Sequence, residues 1–372
     1  MNDDKRRAGA RRERTRASAQ YVDGRFQNPS GLGPGLQGPK LPILGEFFFR
    51  RGRREPLRPL PVESPQPVWA TPTSSGFRAT WLGHSTVLLE LEGRRVLTDP
   101  VFGERASPVG FAGPKRFHPV PVRIDDLPSL DAVLLSHDHY DHLCRPSIEA
   151  LARRRVPIVT ALGVGEHLER FGVDPACITE LDWEESAAVG GVHFTATPAQ
   201  HFSGRGMGDR NQTLWASWVV ASDRRKVFFS GDTGLTPEFE RIGRRYGPFD
   251  LVLLEVGAFH PAWGSIHLGP ENALTVFEML GGGTLLPVHW GTFNLGLHDW
   301  DEPAETLLRL ATERQARILT PRLGSAFEPE LVEGPTPWWR ELTHERPPIE
   351  RPEPAPYDGG VLLGSPGEPR SR

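Results

Sequence analysis

One short stretch of the chain carries four side chains that can bind a metal ion. It has the pattern H-x-H-x-D-H, and its candidate ligands are His137, His139, Asp141 and His142. A catalytic zinc site needs three protein ligands and keeps one position open, so four candidates exceed the needs of one ion. The spacing therefore predicts a pair of ions, with His137 and His139 on the first and Asp141 and His142 on the second.

Three further candidates lie far along the chain. Each follows a predicted strand, and the pairs are 191–198 with His201, 227–229 with Asp232, and 284–288 with His289. Loops at strand ends are where an α/β scaffold places its chemistry, so we expect these residues to meet the first four at one edge of the fold. Five imidazoles and two carboxylates form a mixed ligand set that suits zinc, iron or manganese.

Seven ligands divide over two ions when one carboxylate is shared. We expect His201 to complete the first site, His289 the second, and Asp232 to bridge them with its two oxygens. Two-metal hydrolytic sites hold their ions about 3.5–4 Å apart, and a water between them loses a proton near neutral pH. The set therefore predicts metal-assisted hydrolysis, with Asp141 and Asp232 as ligands that also take part in catalysis.

The elements around these residues must position them. Residues 131–135 form an apolar run typical of a buried strand, and residues 146–154 predict a helix that begins near a proline. The first four ligands therefore lie on a strand-to-helix loop. The loop 101–124 is long for a compact domain, which is typical of a functional loop. The candidates for contacting an anionic substrate are Lys115, Arg116 and Arg205.

Composition restricts the class of protein. The chain has 372 residues, of which 38% are hydrophobic, enough for a domain with a large core. Its 43 Lys and Arg against 47 Asp and Glu give a net charge of −4, so charge gives no reason to expect a nucleic-acid partner. Two cysteines exclude a disulfide framework. No apolar run approaches the roughly 20 residues of a membrane-spanning helix, and the N-terminus lacks the apolar core of a signal peptide, so we expect a cytoplasmic protein.

The two ends of the chain differ in composition from its middle. Residues 1–75 predict a basic arm rich in glycine and proline, within which residues 1–20 are expected to be disordered. Residues 76–344 are expected to form the hydrolase domain. Residues 345–372 predict a proline-rich disordered tail.

The arm carries one segment with a second interpretation. Residues 47–54 place three adjacent phenylalanines beside four arginines. Such a segment can press onto an anionic membrane surface. The favoured alternative is that the phenylalanines dock on the domain, since three residues bury little area. In the first case we expect deletion of residues 1–60 to weaken membrane association and to spare hydrolysis of a soluble substrate.

The order of the motifs resembles the metallo-β-lactamase fold superfamily. The H-x-H-x-D-H stretch is followed by a lone histidine, then by Gly-Asp-Thr-Gly, and then by a late histidine. The resemblance implies an α/β fold, the αββα sandwich of the metallo-β-lactamase type, with a dinuclear site along one edge of the paired sheets. The ligands that it implies agree with the assignment above.

Further motifs resemble the branch of N-acyl-phosphatidylethanolamine-hydrolysing phospholipase D. They include Trp-Leu-Gly-His-Ser-Thr at 81–86, Gly-Pro-Lys-Arg-Phe at 113–117 and His-Trp-Gly-Thr-Phe at 289–293. That family uses two zinc ions and cleaves a phosphodiester so that phosphatidic acid remains. Where the family has a Gln-His pair, this chain reads Ile266-His267, so only the histidine is kept.

Other residues near the motifs have open roles. We expect His267 to act in catalysis by hydrogen bonding a phosphoryl oxygen or the leaving group. His84 is expected to support the site without binding a metal. Asp99 is expected either to orient a ligand imidazole or to cap a turn. The tryptophans and the loop 101–117 are candidates for holding an acyl or glycerol group.

The leading hypothesis is a hydrolase with two Zn²⁺ ions, Fe and Mn being alternatives. It would act as a phosphodiesterase of phospholipase D type on N-acyl-phosphatidylethanolamine-like lipids. A lactonase or a cyclic phosphodiesterase of the same fold is the alternative, and a non-catalytic metal-binding protein is a remote one. The sequence leaves open whether two subunits pair as a homodimer.

Overall fold

The computed structural model describes residues 2–31, 53–260, 263 and 265–342, and two large sheets dominate them. The strands are β1 Tyr21–Val22, β2 Arg25–Phe26, β3 Phe77–Gly83, β4 Thr86–Leu91, β5 Arg94–Thr98, β6 Ala132–Leu135, β7 Ile158–Ala161, β8 Ile178–Leu181, β9 Ser186–Val189, β10 Val192–Thr197, β11 Ser217–Ala221, β12 Lys226–Phe229, β13 Leu251–Glu255, β14 Leu285–Val288 and β15 Ala326–Phe327. The helices are α1 Asn2–Ala17, α2 Gln66–Trp69, α3 Arg145–Arg153, α4 Gly165–Arg170, α5 Glu238–Tyr246, α6 Gly269–Met279 and α7 Glu302–Glu313. In this part of the chain, no helix is long and apolar enough to cross a membrane.

Each large sheet changes from antiparallel to parallel pairing. One sheet has the order β15-β3-β4-β5-β6-β7-β8 and is parallel from β5 to β8. The other has the order β14-β13-β12-β11-β10-β9 and is parallel from β12 to β14. Parallel neighbours end at the same edge, so the residues that follow them lie close together.

Strand β6 shows how the sheets pack. Ala132 and Leu134 point into the core between the two sheets, whereas Val133 and Leu135 pack into a separate apolar layer. That second layer contains residues of α3 and α4, such as Ile148. A strand that is buried on both faces needs an unbroken apolar run, which is why its sequence does not alternate.

Helices cover the outer faces of both sheets. The residues that α5, α6 and α7 bury against the six-stranded sheet and its core include Phe239, Ile242, Leu274, Phe277 and Leu307. The layers therefore run helix, sheet, sheet, helix, and the predicted αββα sandwich is confirmed. Ile318 forms only an isolated bridge to Leu285 at the edge of the six-stranded sheet.

The N-terminal segment is folded where disorder was predicted. Residues 2–17 form the helix α1. Arg11 donates through Nη2 to Glu169 Oε1 at 2.7 Å and pairs through Nε with Glu180, and Arg14 Nη1 donates to the Glu180 carbonyl at 2.6 Å. Composition predicted disorder because the carboxylates that pair with this basic helix lie more than 150 residues away.

The predicted boundary at residue 76 does not separate the arm from the domain. Phe26 is fully buried and its N–H donates to the Asn211 carbonyl at 2.9 Å. Trp69 donates through Nε1 to Thr80 Oγ1 at 2.9 Å. The described parts of residues 1–75 are therefore packed on the domain. Residues 47–52 of the membrane prediction and the tail 345–372 lie outside the described residues, so both remain predictions.

Candidate metal centre

The structure brings all seven predicted ligands together. In the first group, His139 Nδ1 lies 2.8 Å from His137 Nε2 and 3.2 Å from His201 Nε2. Asp232 Oδ2 lies 4.0 Å from His137 Nε2 and 3.8 Å from His201 Nε2. The four ligand atoms are within 4.8 Å of one another, which is close enough for one ion to touch all of them.

The second group lies on the other side of the same aspartate. His142 Nε2 is 3.1 Å from Asp232 Oδ1, and His289 Nε2 is 3.2 Å from Asp232 Oδ2. Asp141 Oδ2 is 3.5 Å from His142 Nε2 and 3.3 Å from His289 Nε2. Asp232 therefore stands between the two groups, as a bridging carboxylate must.

Some buried ligand atoms make no hydrogen bond, although His142 Nε2 and Asp232 Oδ1 lie only 3.1 Å apart. Among the described residues, His142 Nε2 and Asp232 Oδ1 are buried and make no hydrogen bond. Leaving such atoms unsatisfied costs about 1–3 kcal/mol each. A divalent cation in each group would satisfy them, and the imidazole and carboxylate donors suit zinc, iron or manganese. The residues therefore fit a pair of metal ions.

In three of the ligand histidines the second ring nitrogen contacts a neighbouring group that fixes the ring. His142 Nδ1 lies 2.6 Å from Asp99 Oδ2, His201 Nδ1 lies 2.9 Å from the Ile266 carbonyl, and His137 Nδ1 lies 2.9 Å from Ser136 Oγ. These contacts leave Nε2 of each ring for the centre, as is usual for metal-binding histidines. Of the two roles predicted for Asp99, it fills the first, orienting the His142 imidazole, and it also accepts from Ser136 N at 2.8 Å.

The backbone at the centre adopts conformations that ordinary residues rarely use. His84, Asp99 and His289 have φ angles of 51°, 29° and 64°. Such strain persists only where the surrounding structure fixes it, and it concentrates at functional sites. The backbone is also crowded at Gly234, because a Cβ there would lie 1.7 Å from the Ser265 carbonyl oxygen. The turn that carries Asp232 is therefore tightly held.

His84 lies closer to the centre than its turn position indicates. Its Nε2 is 3.1 Å from Asp141 Oδ2, and its side chain is 1% exposed. Burial and the neighbouring His289 lower the pKa of His84 to about 3, so the ring is neutral and can donate from Nε2 to Asp141. The ligand atoms of His84, Asp141, His142 and His289 lie within 4.8 Å of one another, so the supporting role of His84 stays a prediction.

His267 is placed beside the centre and is held by an acid that sequence reasoning missed. Its Nδ1 lies 2.7 Å from Glu255 Oε2 and 4.0 Å from Asp232 Oδ2. Burial lowers the pKa of His267, but the Glu255 carboxylate outweighs burial and the net shift is upward. A charged residue at the end of the apolar strand β13 was the available signal for Glu255.

Asn28 is the second residue that sequence reasoning missed. Its Nδ2 donates to the His201 carbonyl at 2.8 Å, and its Oδ1 accepts from His201 N at 2.9 Å and from Trp215 Nε1 at 3.1 Å. The amide thus fixes the backbone of one predicted ligand from 173 residues away. Neither the spacing nor the order of the motifs pointed to this residue.

The predicted substrate contacts are not placed at the centre. Arg116 is buried, donates to the Val101 carbonyl and lies over the Phe293 ring. Arg205 donates through Nη1 to the Asp138 and Leu143 carbonyls at 2.5 and 2.9 Å. Both predictions are corrected, because backbone carbonyls of the loops already occupy these donors.

The remaining substrate candidates are also placed elsewhere. Lys115 is exposed and pairs with Glu104 at 3.0 Å. Trp215 and Trp218 are fully buried in the core between the sheets, so they cannot hold an acyl group at the surface. Their large rings fill the sandwich beneath the site.

In the second ligand group, the carboxylates favour protonated imidazoles. Burial lowers the pKa of His289, but Asp232 and Asp141 outweigh burial and raise it to about 10. Burial alone would raise the pKa of Asp232, but His142 and His289 hold it well below 3.8. Cation binding must displace the protons on these imidazoles, because only a neutral ring coordinates a metal.

Comparison with known proteins agrees with this geometry. The model of the β-lactamase superfamily domain matches residues 94–290, more than half of the chain. Rv0906 of Mycobacterium tuberculosis is 43% identical over 329 residues, 87% of this chain and 88% of that protein. N-acyl-phosphatidylethanolamine-hydrolyzing phospholipase D 1 of Caenorhabditis elegans is 39% identical over 256 residues, 65% of this chain and 72% of that protein.

A solved structure shares the fold at low sequence identity. The isothiocyanate hydrolase from Delia radicum gut bacteria aligns with a TM-score of 0.55 and 24% identity, over 68% of this chain and 98% of that one. The matching family model, the relatives and the shared fold lead to the same conclusion. The chain belongs to the metallo-β-lactamase fold superfamily of metal-dependent hydrolases, in the branch of the N-acyl-phosphatidylethanolamine-hydrolysing phospholipases D.

Proposed function

We propose that the protein is a dinuclear metal-dependent phosphodiesterase of phospholipase D type, acting on N-acyl-phosphatidylethanolamine or a close analogue. The position of Asp232 between two groups of ligands carries the proposal, because a shared carboxylate is the hallmark of a two-metal site. The 39% identity to the nematode phospholipase D supports the choice of substrate. Zinc is the proposed metal, with iron and manganese compatible with the same donors.

In this proposal the seven ligands hold two cations. His137, His139 and His201 would hold one cation, and Asp141, His142 and His289 would hold the other, with Asp232 shared. When bound, such a pair activates a water and neutralises charge on the phosphoryl oxygens. The rest of the chemistry belongs to side chains that surround the substrate.

His267 is the side chain placed to donate a proton to the leaving group. Its Nδ1 is occupied by Glu255 at 2.7 Å, which leaves Nε2 for the substrate. In the proposed reaction a water oxygen bonds to phosphorus, the bond from phosphorus to the ethanolamine oxygen breaks, and that oxygen takes a proton. His267 can supply this proton as a general acid.

A cavity beside His267 supports a lipid substrate. Its volume is about 370 Å³, and its lining includes Phe259, Trp263, Leu268 and Pro270. Apolar and aromatic walls next to a few polar groups are typical of a small-molecule site. Part of an N-acylethanolamine group would therefore meet an apolar surface next to the acid that protonates it.

Hydrolysis in water enriched in oxygen-18 tests the proposal. We expect N-acyl-phosphatidylethanolamine to give phosphatidic acid and N-acylethanolamine, with the heavy oxygen in the phosphatidic acid alone, as read by mass spectrometry. Attack at carbon would instead label the alcohol. Lactones and cyclic phosphodiesters belong in the same panel, and turnover of lactones without any phosphodiester would refute the proposal.

A further inference from the structure

A buried carboxylate lies behind His267 and belongs to neither predicted ligand group. Glu255 is the last residue of β13 and its side chain is 0% exposed. Its Oε2 accepts from His267 Nδ1 at 2.7 Å, and its Oε1 accepts from the backbone N–H groups of Thr233 and Leu268 at 2.8 and 3.2 Å. A buried charge persists only when it is paired in this way.

The three donors come from the two segments that shape the centre. Thr233 follows the bridging Asp232, and Leu268 follows His267 at the start of α6. Glu255 therefore ties the turn of Asp232 to the loop of His267 through one side chain. Loss of its oxygens would leave two buried N–H groups unsatisfied and the imidazole free to turn.

The contact also decides which nitrogen of His267 faces the substrate. Because Nδ1 donates to Glu255, only Nε2 remains for the cleft. The ring centroid lies 5.1 Å from that of His201 and 5.5 Å from that of His289, one from each ligand group. The His267 ring therefore lies beside both ligand groups.

We propose that Glu255 is a positioning residue that holds His267 as the donor of the proton to the leaving oxygen. This inference rests on the proposed function. In the step, the N–H bond at His267 Nε2 breaks, an O–H bond forms on the departing ethanolamine oxygen, and solvent water later returns a proton to the ring. In this proposal Glu255 acts as a hydrogen-bond partner, since its oxygens accept three N–H groups. The ligand atoms of Asp232, Glu255, His267 and His289 also lie within 4.8 Å of one another, so the metal content of Glu255→Gln separates a hydrogen-bond partner from a ligand.

A comparison of leaving groups separates this role from a structural one. Bis(4-nitrophenyl) phosphate releases a stable anion that needs no proton, whereas N-acyl-phosphatidylethanolamine releases an alcohol that does. In metal-loaded Glu255→Gln, we expect kcat for the lipid to fall about 10–100-fold, as for other residues that orient a reacting group. We expect the nitrophenyl substrate to change by less than about threefold, well below the effect of losing a general acid.

Three further variants complete the test. His267→Gln should show the same selective loss, at about 100-fold or more, because it removes the general acid itself. Glu313→Gln, on the exposed surface of α7, is the matched control and should leave both rates unchanged. Glu255→Asp withdraws the carboxylate while keeping its charge, and it should reproduce the selective loss if the glutamine variant does not fold.

Two readouts do not depend on activity. Elemental analysis should find the same metal content in Glu255→Gln and in the parent protein. Nitrogen-15 NMR of the zinc-loaded parent should show the proton of His267 on Nδ1, and Glu255→Gln should weaken that signal. Equal loss on both substrates, or loss of metal, would overturn the inference. If the parent hydrolyses no phosphodiester, the proposed function fails, and the NMR result still decides whether Glu255 holds His267.

Discussion

His84 lies in a short turn, and its contact with the predicted ligand Asp141 cannot be read from that position in the sequence. Its Nε2 is 3.1 Å from Asp141, and its ring centroid is 4.1 Å from that of His289. Its backbone carbonyl accepts from His289 N at 3.1 Å. One residue thus touches two members of the second ligand group, by its ring and by its backbone.

The substitution His84→Ala tests this contact. We expect affinity for the second metal to fall about 10–100-fold, since partners of ligand groups have effects of this size. The first metal should be retained, and elemental analysis after dialysis against a weak chelator measures both. His193→Ala, at an exposed position on β10, is the control and should keep both ions. Full metal content in His84→Ala would show that Asp141 needs no such partner.

Metal binding should depend on pH through His289. In the metal-free protein its pKa is raised to about 10, whereas the metal-bound ring must be neutral. Below pH 10 a proton therefore leaves when a cation binds, so affinity rises with pH. Burial lowers the pKa of His142, but Asp232 and Asp141 outweigh burial and hold it well above its usual value, so a second proton leaves as well. Chelator competition at pH 7, 8 and 9 should therefore show affinity rising by at least about tenfold per unit. An affinity that is flat or falls over this range would contradict the assignment.

At the scale of elements, the segment 21–31 is part of the centre and not an accessory. The hairpin β1-β2 places Asn28 where its amide hydrogen bonds to both the N–H and the carbonyl of His201. Ser30 Oγ donates to Gln200 Oε1 at 2.7 Å beside it. Deletion of residues 1–60 is therefore expected to abolish hydrolysis of soluble substrates, which reverses the expectation from composition.

One substitution tests the hydrogen bonds between the Asn28 amide and the backbone of His201. Asn28→Ala leaves the buried His201 N–H without its partner, so we expect a loss of about 1–3 kcal/mol in the free energy of unfolding. Metal content should fall with it, because His201 loses its fixed backbone. Thermal unfolding with elemental analysis measures both effects. Gln27→Ala changes the exposed neighbour and serves as the control. Equal stability and equal metal content in the two variants would exclude a role for the hydrogen bonds of Asn28.

The loop elements explain why the charged candidates were misassigned. Arg116 and Arg205 lie in loops that flank the ligand stretch, so their charges were predicted to face an anionic substrate. In the structure their donors hold backbone carbonyls of those same loops. Sequence spacing does not reveal which donors the backbone will occupy, since that depends on the path of the folded loop.

At the scale of the whole molecule, the centre is assembled from both sheets. The seven-stranded sheet contributes Asp99 and the stretch 136–142, and the six-stranded sheet contributes His201, Asp232 and His289. Motif order and strand-end placement were enough to predict this convergence. Asn28 and the partners of α1 were not predictable, because each depends on contacts across more than 150 residues of chain.

The metal content of the purified protein tests the central claim most directly. The parent chain should bind two transition-metal ions, and Asp232→Asn should bind fewer and lose hydrolysis, because the bridging carboxylate serves both ions. Elemental analysis of the two proteins, prepared side by side, gives the numbers. A parent protein that stays empty after reconstitution, or an Asp232→Asn variant that keeps two ions and full activity, would contradict the account.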